Sequence, residues 1–156
     1  MAEKTNAMRK LAGMKIPFTE HYYADTGAIA GADVARALGE DPARVFKTLV
    51  TVGKTGAHYV FLVPVAEELD LKKAAAAVGE KSVELIKSKE LLPLTGYVHG
   101  GCSPIGMKKF FRTVLHKTAA DFPTICFSGG KIGFQIELPP EKLAEVIKFE
   151  YADIIR

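Results

Sequence analysis

The chain has no apolar run long enough to cross a bilayer. Runs such as YVFLVPVA at 59–66 fall far short of the roughly 20 residues that a spanning helix needs. The opening MAEKTNAMRKLAG has no apolar centre of the kind a secretory signal carries, which predicts a cytoplasmic protein. Cysteine is scarce: Cys102 and Cys126 occur without CxxC spacing, so no structural disulfide is expected in a reducing compartment. His21, His58, His99 and His116 share neither HxxxH nor HxH spacing. No metal site is therefore expected, and these histidines read as solvated or singly hydrogen-bonded. Also missing are GxSxG, a GxGxxG after a strand, internal repeats, RGG or RNP-type motifs, and any block of six like charges.

What remains is the composition of an ordinary globular domain. With 156 residues, 48% hydrophobic and 25% charged, the chain can bury a sizeable core and is expected to form one domain over 1–156. The net charge of +3 is unevenly spread. Residues 71–131 carry 10 Lys+Arg against 4 Asp+Glu, whereas 1–70 carry 8 against 9 and 132–156 carry 3 against 5. The middle of the chain could present a basic face to phosphates, or simply solvated helix faces.

Strands and helices mix without regular βαβ alternation. TNAMRKLAG reads as a helix ending at Gly13, FTEHYYA at 18–24 as a strand, and ADVARALG at 32–39 as a short helix. Asp41 and Pro42 begin a further turn of helix. KTLVTVGKTGAHYVFLVPV is a β-hairpin turning at 53–56. DLKKAAAAVG is a helix capped by Asp70 and ended by Gly79. SKELLPLTG is a short helix halted near Pro93. RTVLHK, TICFS and GFQIEL read as strands, and PPEKLAEVIKF as a closing helix. This order points to an α/β fold of the α+β type, with a mixed, barrel-like sheet and helices packed around it.

The stretch GYVHGGCSPIGMKK at 96–109 concentrates glycine beside Cys102, Ser103, Lys108 and Lys109. The Gly101–Gly106 spacing suggests a phosphate loop, but Met107-Lys108-Lys109 stands where Lys followed by Ser or Thr is required. Cys102 or Ser103 as nucleophile would need a base and an orienting partner, and His99 nearby in sequence does not establish one. The bare backbone is the other candidate, because successive N–H groups can converge on an anion or an oxyanion.

Taken with RVFKTLV at 44–50 and SGGKIGFQIEL at 128–138, this stretch resembles the YbaK family of aminoacyl-tRNA deacylases, whose superfamily includes the editing domain of prolyl-tRNA synthetase. The resemblance runs from KIPFTEHYY at 15–23 to the final YADII, and the superfamily's GxxxP signature falls on 100–104. It implies a compact fold with a pocket between the glycine loop and the strand carrying the lysine. It also implies catalytic roles for Lys47, Tyr23 and Gly101, the last as an amide donor to the ester carbonyl. Substrate contacts are implied at Ala30, Thr48, Gly100, Ser103, Pro104, Ser128, Gly129 and Gln135, and tRNA contacts at Lys108, Lys109 and Lys131. Two positions depart from the family pattern: Ala30 replaces a frequent aromatic residue, and Gln135 a frequent aspartate.

The implied substrate is cysteine misplaced on proline tRNA, with cysteine on its own tRNA as a second candidate. Prolyl-tRNA synthetase is the implied partner, and no metal, organic cofactor or membrane takes part. The implied route is assisted by the substrate, whose own thiolate attacks its ester carbonyl. Three other readings stand beside it: water-driven removal of alanine from tRNA(Pro), a non-catalytic tRNA- or synthetase-binding module, and a hydrolase built on Cys102 or Ser103.

Overall fold

In the computed structural model of the protein, which describes residues 4–156, five helices and eight strands alternate irregularly. They run α1 (Asn6–Gly13), β1 (Thr19–Tyr22), α2 (Gly31–Ala37), β2 (Phe46–Gly53), β3 (His58–Pro64), α3 (Leu71–Val78) and β4 (Val83–Leu85). Then follow α4 (Ser88–Thr95), β5 (Arg112–His116), β6 (Ile125–Ser128), β7 (Phe134–Leu138), α5 (Pro140–Leu143) and β8 (Phe149–Ala152). Residues 1–3, which head the stretch read for a signal core, lie outside the described residues. No described helix is long and apolar enough to cross a membrane.

The β2–β3 hairpin organises the larger sheet. Its pairing runs from Phe46↔Pro64 to Val52↔His58, and the five strands lie in the order β4-β2-β3-β5-β8. β3 pairs with β5, and β5 with β8, in parallel. Both faces of β3 are covered, which explains its unbroken apolar sequence. Val60 and Leu62 face the main core, while Phe61 and Val63 face α3 through Ala74, Ala75 and Val78. Asp70 accepts the Lys72 and Lys73 amides at 2.9 and 3.0 Å, and Gly79 ends α3 at φ +75°.

The smaller sheet is antiparallel, in the order β1-β7-β6. Its apolar face, with Ile125, Phe127, Phe134, Ile136 and Leu138, closes the main core against α1 and the hairpin. Among the described residues, one parallel bridge, Val45↔Cys126, joins the sheets. The expected single barrel-like sheet is therefore two sheets, packed on one core and paired only at that bridge, and no closed barrel forms among the described residues.

Three further expectations need correction. The closing helix stops at Leu143 rather than running to Phe149: Leu143 and Ile147 enter the core, and the chain then pairs with β5 as β8. Helix α4 runs past Pro93 to Thr95. The first strand ends at Tyr22, so Tyr23 and Ala24 belong to the turn that follows.

Candidate active site

Residues 46–50 of β2 lack a β4 partner, since β4 covers only Thr51–Gly53. At this uncovered stretch lies a cavity of about 640 Å³, within the ~300–1,000 Å³ typical of small-ligand sites. Lys47 and Thr48 of β2 line it, with Tyr23, Ala30 at the head of α2, Gly100, Ser128 and Gln135. Seven of the sequence-predicted positions thus converge, from segments more than a hundred residues apart.

Tyr23 is buried, and its amide donates to Gly133 O at 2.8 Å, tying the end of β1 to the β6–β7 turn. Tyr22, the last residue of β1, is exposed, its ring edge-on to Phe134 of β7 with centroids 5.3 Å apart. Ser128 and His21 flank Gln135 on the neighbouring strands. Two buried side-chain atoms of the lining, Thr48 Oγ1 and Gln135 Oε1, have no hydrogen-bond partner.

Other predicted positions sit behind the wall. Ser103 and Pro104 are buried and Gly129 is packed under Met8 and Phe134; none of the three lines the cavity. Gly101 does not line it either, and its amide donates to Val98 O at 2.9 Å. A Cβ at Gly101 would lie 3.0 Å from Ile132 N, so glycine here lets the loop seat against the β6–β7 turn. Lys108, Lys109 and Lys131 are exposed, with Lys131 Nζ 5.9 Å above the Phe134 ring. Part of the basic middle is spent on ion pairs, Lys73–Asp153 and Arg112–Glu150.

Neither nucleophile candidate is poised. Cys102 reaches the lining but is 7% exposed, and burial pushes its thiol up to about 12. Ser103 is fully buried, its Oγ accepting the Ile105 amide at 3.3 Å. His99 lines the cavity, a position that histidine spacing in the sequence could not reveal. The aromatic walls, Phe127 and Phe134, read in the sequence only as strand residues.

Behind Gln135 lies a polar cluster that sequence spacing does not show. His21 Nε2 lies 2.6 Å from Glu137 Oε1. Glu137 Oε2 accepts from Arg44 at 3.1 Å and from Thr124 at 2.6 Å. Burial opposes the Glu137 charge, but the bonds from Thr124 and His21 and the Arg44 guanidinium hold its carboxyl below the usual range. His21, Glu40, Cys126 and Glu137 bring four metal-ligating atoms within 4.8 Å of one another. Arg44 also contacts Cys126 Sγ, at 3.4 Å, and burial and the two carboxylates push that thiol up. The guanidinium already supplies the cluster's cation, and a protonated thiol is a poor metal ligand.

Comparison with known proteins bears on the family and the fold. The pattern of the aminoacyl-tRNA editing domain matches residues 27–146. EbsC of Enterococcus faecalis (strain ATCC 700802 / V583), provisionally named a Cys-tRNA(Pro)/Cys-tRNA(Cys) deacylase, is 45% identical over 153 residues, covering 97% of this chain and 93% of EbsC. A crystal structure provisionally described as a trans-editing enzyme for prolyl tRNA synthetase matches with TM-score 0.85 at 24% identity, over 99% of each chain. Hypothetical protein APE2540 matches with TM-score 0.89 at 20% identity, over 97% of this chain and 100% of that one.

Proposed function

The chain belongs to the aminoacyl-tRNA editing domain family, and on that premise we propose that it is a deacylase removing cysteine misplaced on tRNA(Pro). Cysteine on its own tRNA is the second substrate. Residues 1–156 act as one editing domain, in the cytoplasm and without cofactor. The observation that carries the reading is the cavity beside β2: its lining offers a lysine, hydroxyls and an amide, while the thiol within reach is held protonated by burial.

In this reading the nucleophile arrives with the substrate. The cysteinyl sulfur attacks its own ester carbonyl, a C–S bond forms and the C–O bond to the tRNA 3′ ribose breaks. The thiol proton ends on the ribose oxygen, and the cyclic thioester then opens in water. Thiol and carbonyl are already tethered, so the protein's task is to fold the substrate into a reactive pose. Lys47 and Tyr23 hold the terminal adenosine and aminoacyl group, with Ala30, Thr48, Ser128 and Gln135 around them. The glycine loop supplies the backbone donor for the oxyanion. Gly101 serves this role by exchanging Val98 O for the substrate, beside Gly100 and Cys102 on the cavity wall, while Ser103, Pro104 and Gly129 shape the loop from behind. Lys108, Lys109 and Lys131 meet the tRNA backbone, and prolyl-tRNA synthetase supplies further tRNA selection.

The test is a deacylation series on tRNA(Pro) carrying cysteine, serine, 2-aminobutyrate or alanine. Serine and 2-aminobutyrate nearly match cysteine in size but lack its thiolate, so both should react far more slowly. The cysteine rate should rise with pH toward the bound thiol's pKa, ordinarily near 8.5. Equal rates across the series, or rapid alanine release, would mean that water attacks.

A further inference from the structure

Gln135 lines the cavity, yet it is neutral and 2% exposed. Its two amide ends differ in what they can do. Nε2 donates to Glu40 Oε1 at 3.0 Å, and a carboxylate can only accept, so the amide has one permitted orientation. That orientation leaves Oε1, buried and without a partner, for the cavity that Gln135 lines. In the same lining, Thr48 Oγ1 of β2 is unpartnered as well. Two buried oxygens lacking partners in one cavity indicate a ligand that brings hydrogen-bond donors.

Glu40 is fixed in turn. Its side chain is 5% exposed, with Oε2 3.8 Å from His21 Nε2 and 3.7 Å from Cys126 Sγ, which donates to it. His21 is bonded to Glu137, and Glu137 to Arg44 and Thr124. The chain of bonds runs from an ion-paired cluster, through one carboxylate, to a single carbonyl oxygen in the cavity. Glu40's charge sits at the far end of the amide and polarises it, which makes Oε1 a stronger acceptor for a cation.

We propose that Glu40 is a positioning residue: it locks the Gln135 amide so that Oε1 receives the α-ammonium group of the substrate, with Thr48 Oγ1 of the same lining as a second acceptor. The proposal rests on the aminoacyl-tRNA reading above and assigns that site its ammonium subsite. Gln135 supplies the contact and Glu40 the charge, one hydrogen bond removed.

The experiment compares Cys-tRNA(Pro) with N-acetyl-Cys-tRNA(Pro), which keeps thiol, ester and tRNA but has no ammonium. The wild type should favour the free amine by roughly 10- to 100-fold in kcat/KM, the range of one hydrogen bond to a charged group. In Glu40→Gln the second amide can face Gln135 either way, and the preference should fall toward one while the acetylated substrate reacts within about threefold of wild type. Gln135→Leu should lose the same preference. Gln135→Glu carries its own charge, so Gln135→Glu/Glu40→Gln should keep the preference, and this double variant serves as the test if Glu40→Gln alone does not fold. Equal losses on both substrates in Glu40→Gln, or an intact preference, would overturn the proposal. A wild type that deacylates neither substrate would fail the proposed function instead. The subsite is then read from binding of 3′-cysteinylamido-adenosine against its 3-mercaptopropionyl counterpart: their affinity ratio should collapse in Glu40→Gln, and an unchanged ratio would overturn it.

Discussion

Gly31 and Gly101 both lack room for a side chain, but the atoms that exclude it differ, and the difference can be measured. A Cβ at Gly31 would meet a neighbouring side chain, that of Val65, through its Cγ1 and, at 3.1 Å, its Cβ. At Gly101 it would meet main chain, Ile132 N at 3.0 Å and Lys131 C and Cα at 3.2 Å. Each alanine variant should cost about 1–3 kcal/mol through overpacking. For a chain of this size that lowers the melting temperature by roughly 2–4 °C per kcal/mol. Val65→Ala removes two methyls, itself costing about 1.5 kcal/mol, but it also removes the nearer obstacle to a methyl group on Gly31. Gly31→Ala/Val65→Ala should therefore be more stable than the sum of its parts, by ~0.5–3 kcal/mol. Ile132→Ala leaves its own backbone nitrogen in place, so Gly101→Ala/Ile132→Ala should show no such relief. Thermal and urea melts of the two cycles decide the matter, and Gly101→Ala should also slow deacylation by displacing the loop. A harmless Gly101→Ala, or one rescued by Ile132→Ala, would refute the claim that the glycine loop is clamped against the β6–β7 turn.

Cys102→Ala and Ser103→Ala should each keep most of the activity, and Cys102 should resist alkylation near neutral pH until the protein unfolds. A thousandfold loss in either folded variant would restore a covalent route. Lys47→Ala should lose most turnover while stability stays within about 1 kcal/mol; unchanged kinetics would make it a solvated strand lysine. Burial holds His116 below its ordinary value against the pull of Asp153, so it is neutral folded and gains a proton on unfolding. Its contribution to stability should be complete above about pH 6.5 and lost as pH falls through its folded value. Glu137, whose folded value is depressed, should contribute in full above about pH 4.3 and lose that contribution below it. His116→Gln should flatten the upper stage only, and a wild-type melt that does not change from pH 7 to 5 would contradict this.

Local signals in the sequence were good guides where structure is decided locally. Asp70 and Gly79 bound α3, and the turn at 53–56 places the hairpin, because caps and turns act within four residues. The parallel pairing of β5 with β3 and β8 leaves no such mark, and β8 begins at Phe149, inside an apparent helix whose apolar residues serve the core instead. For the site, the three motifs put Lys47, Thr48, Gly100, Ser128 and Gln135 around one cavity. Spacing could not show that Gly101 spends its amide on Val98, that Ser103 turns inward, or that His21, Glu40, Arg44 and Glu137 converge behind Gln135. Those contacts depend on how α2 and the small sheet dock.

The pairing of β1 with β7 also has a consequence in time. His21 and Glu137 are 116 positions apart, so a ribosome adding 5–20 residues per second needs roughly 6–23 s between them. Throughout that interval β1 has no neighbouring strand, and Tyr23 has no Gly133 carbonyl to hold it. The hairpin of β2 and β3 is complete long before. The cavity is thus among the last parts of the molecule to exist, and a nascent chain stalled before β7 would carry Lys47 and the glycine loop without a site between them. Newly made protein should acquire activity only after β7 has been made and has paired with β1.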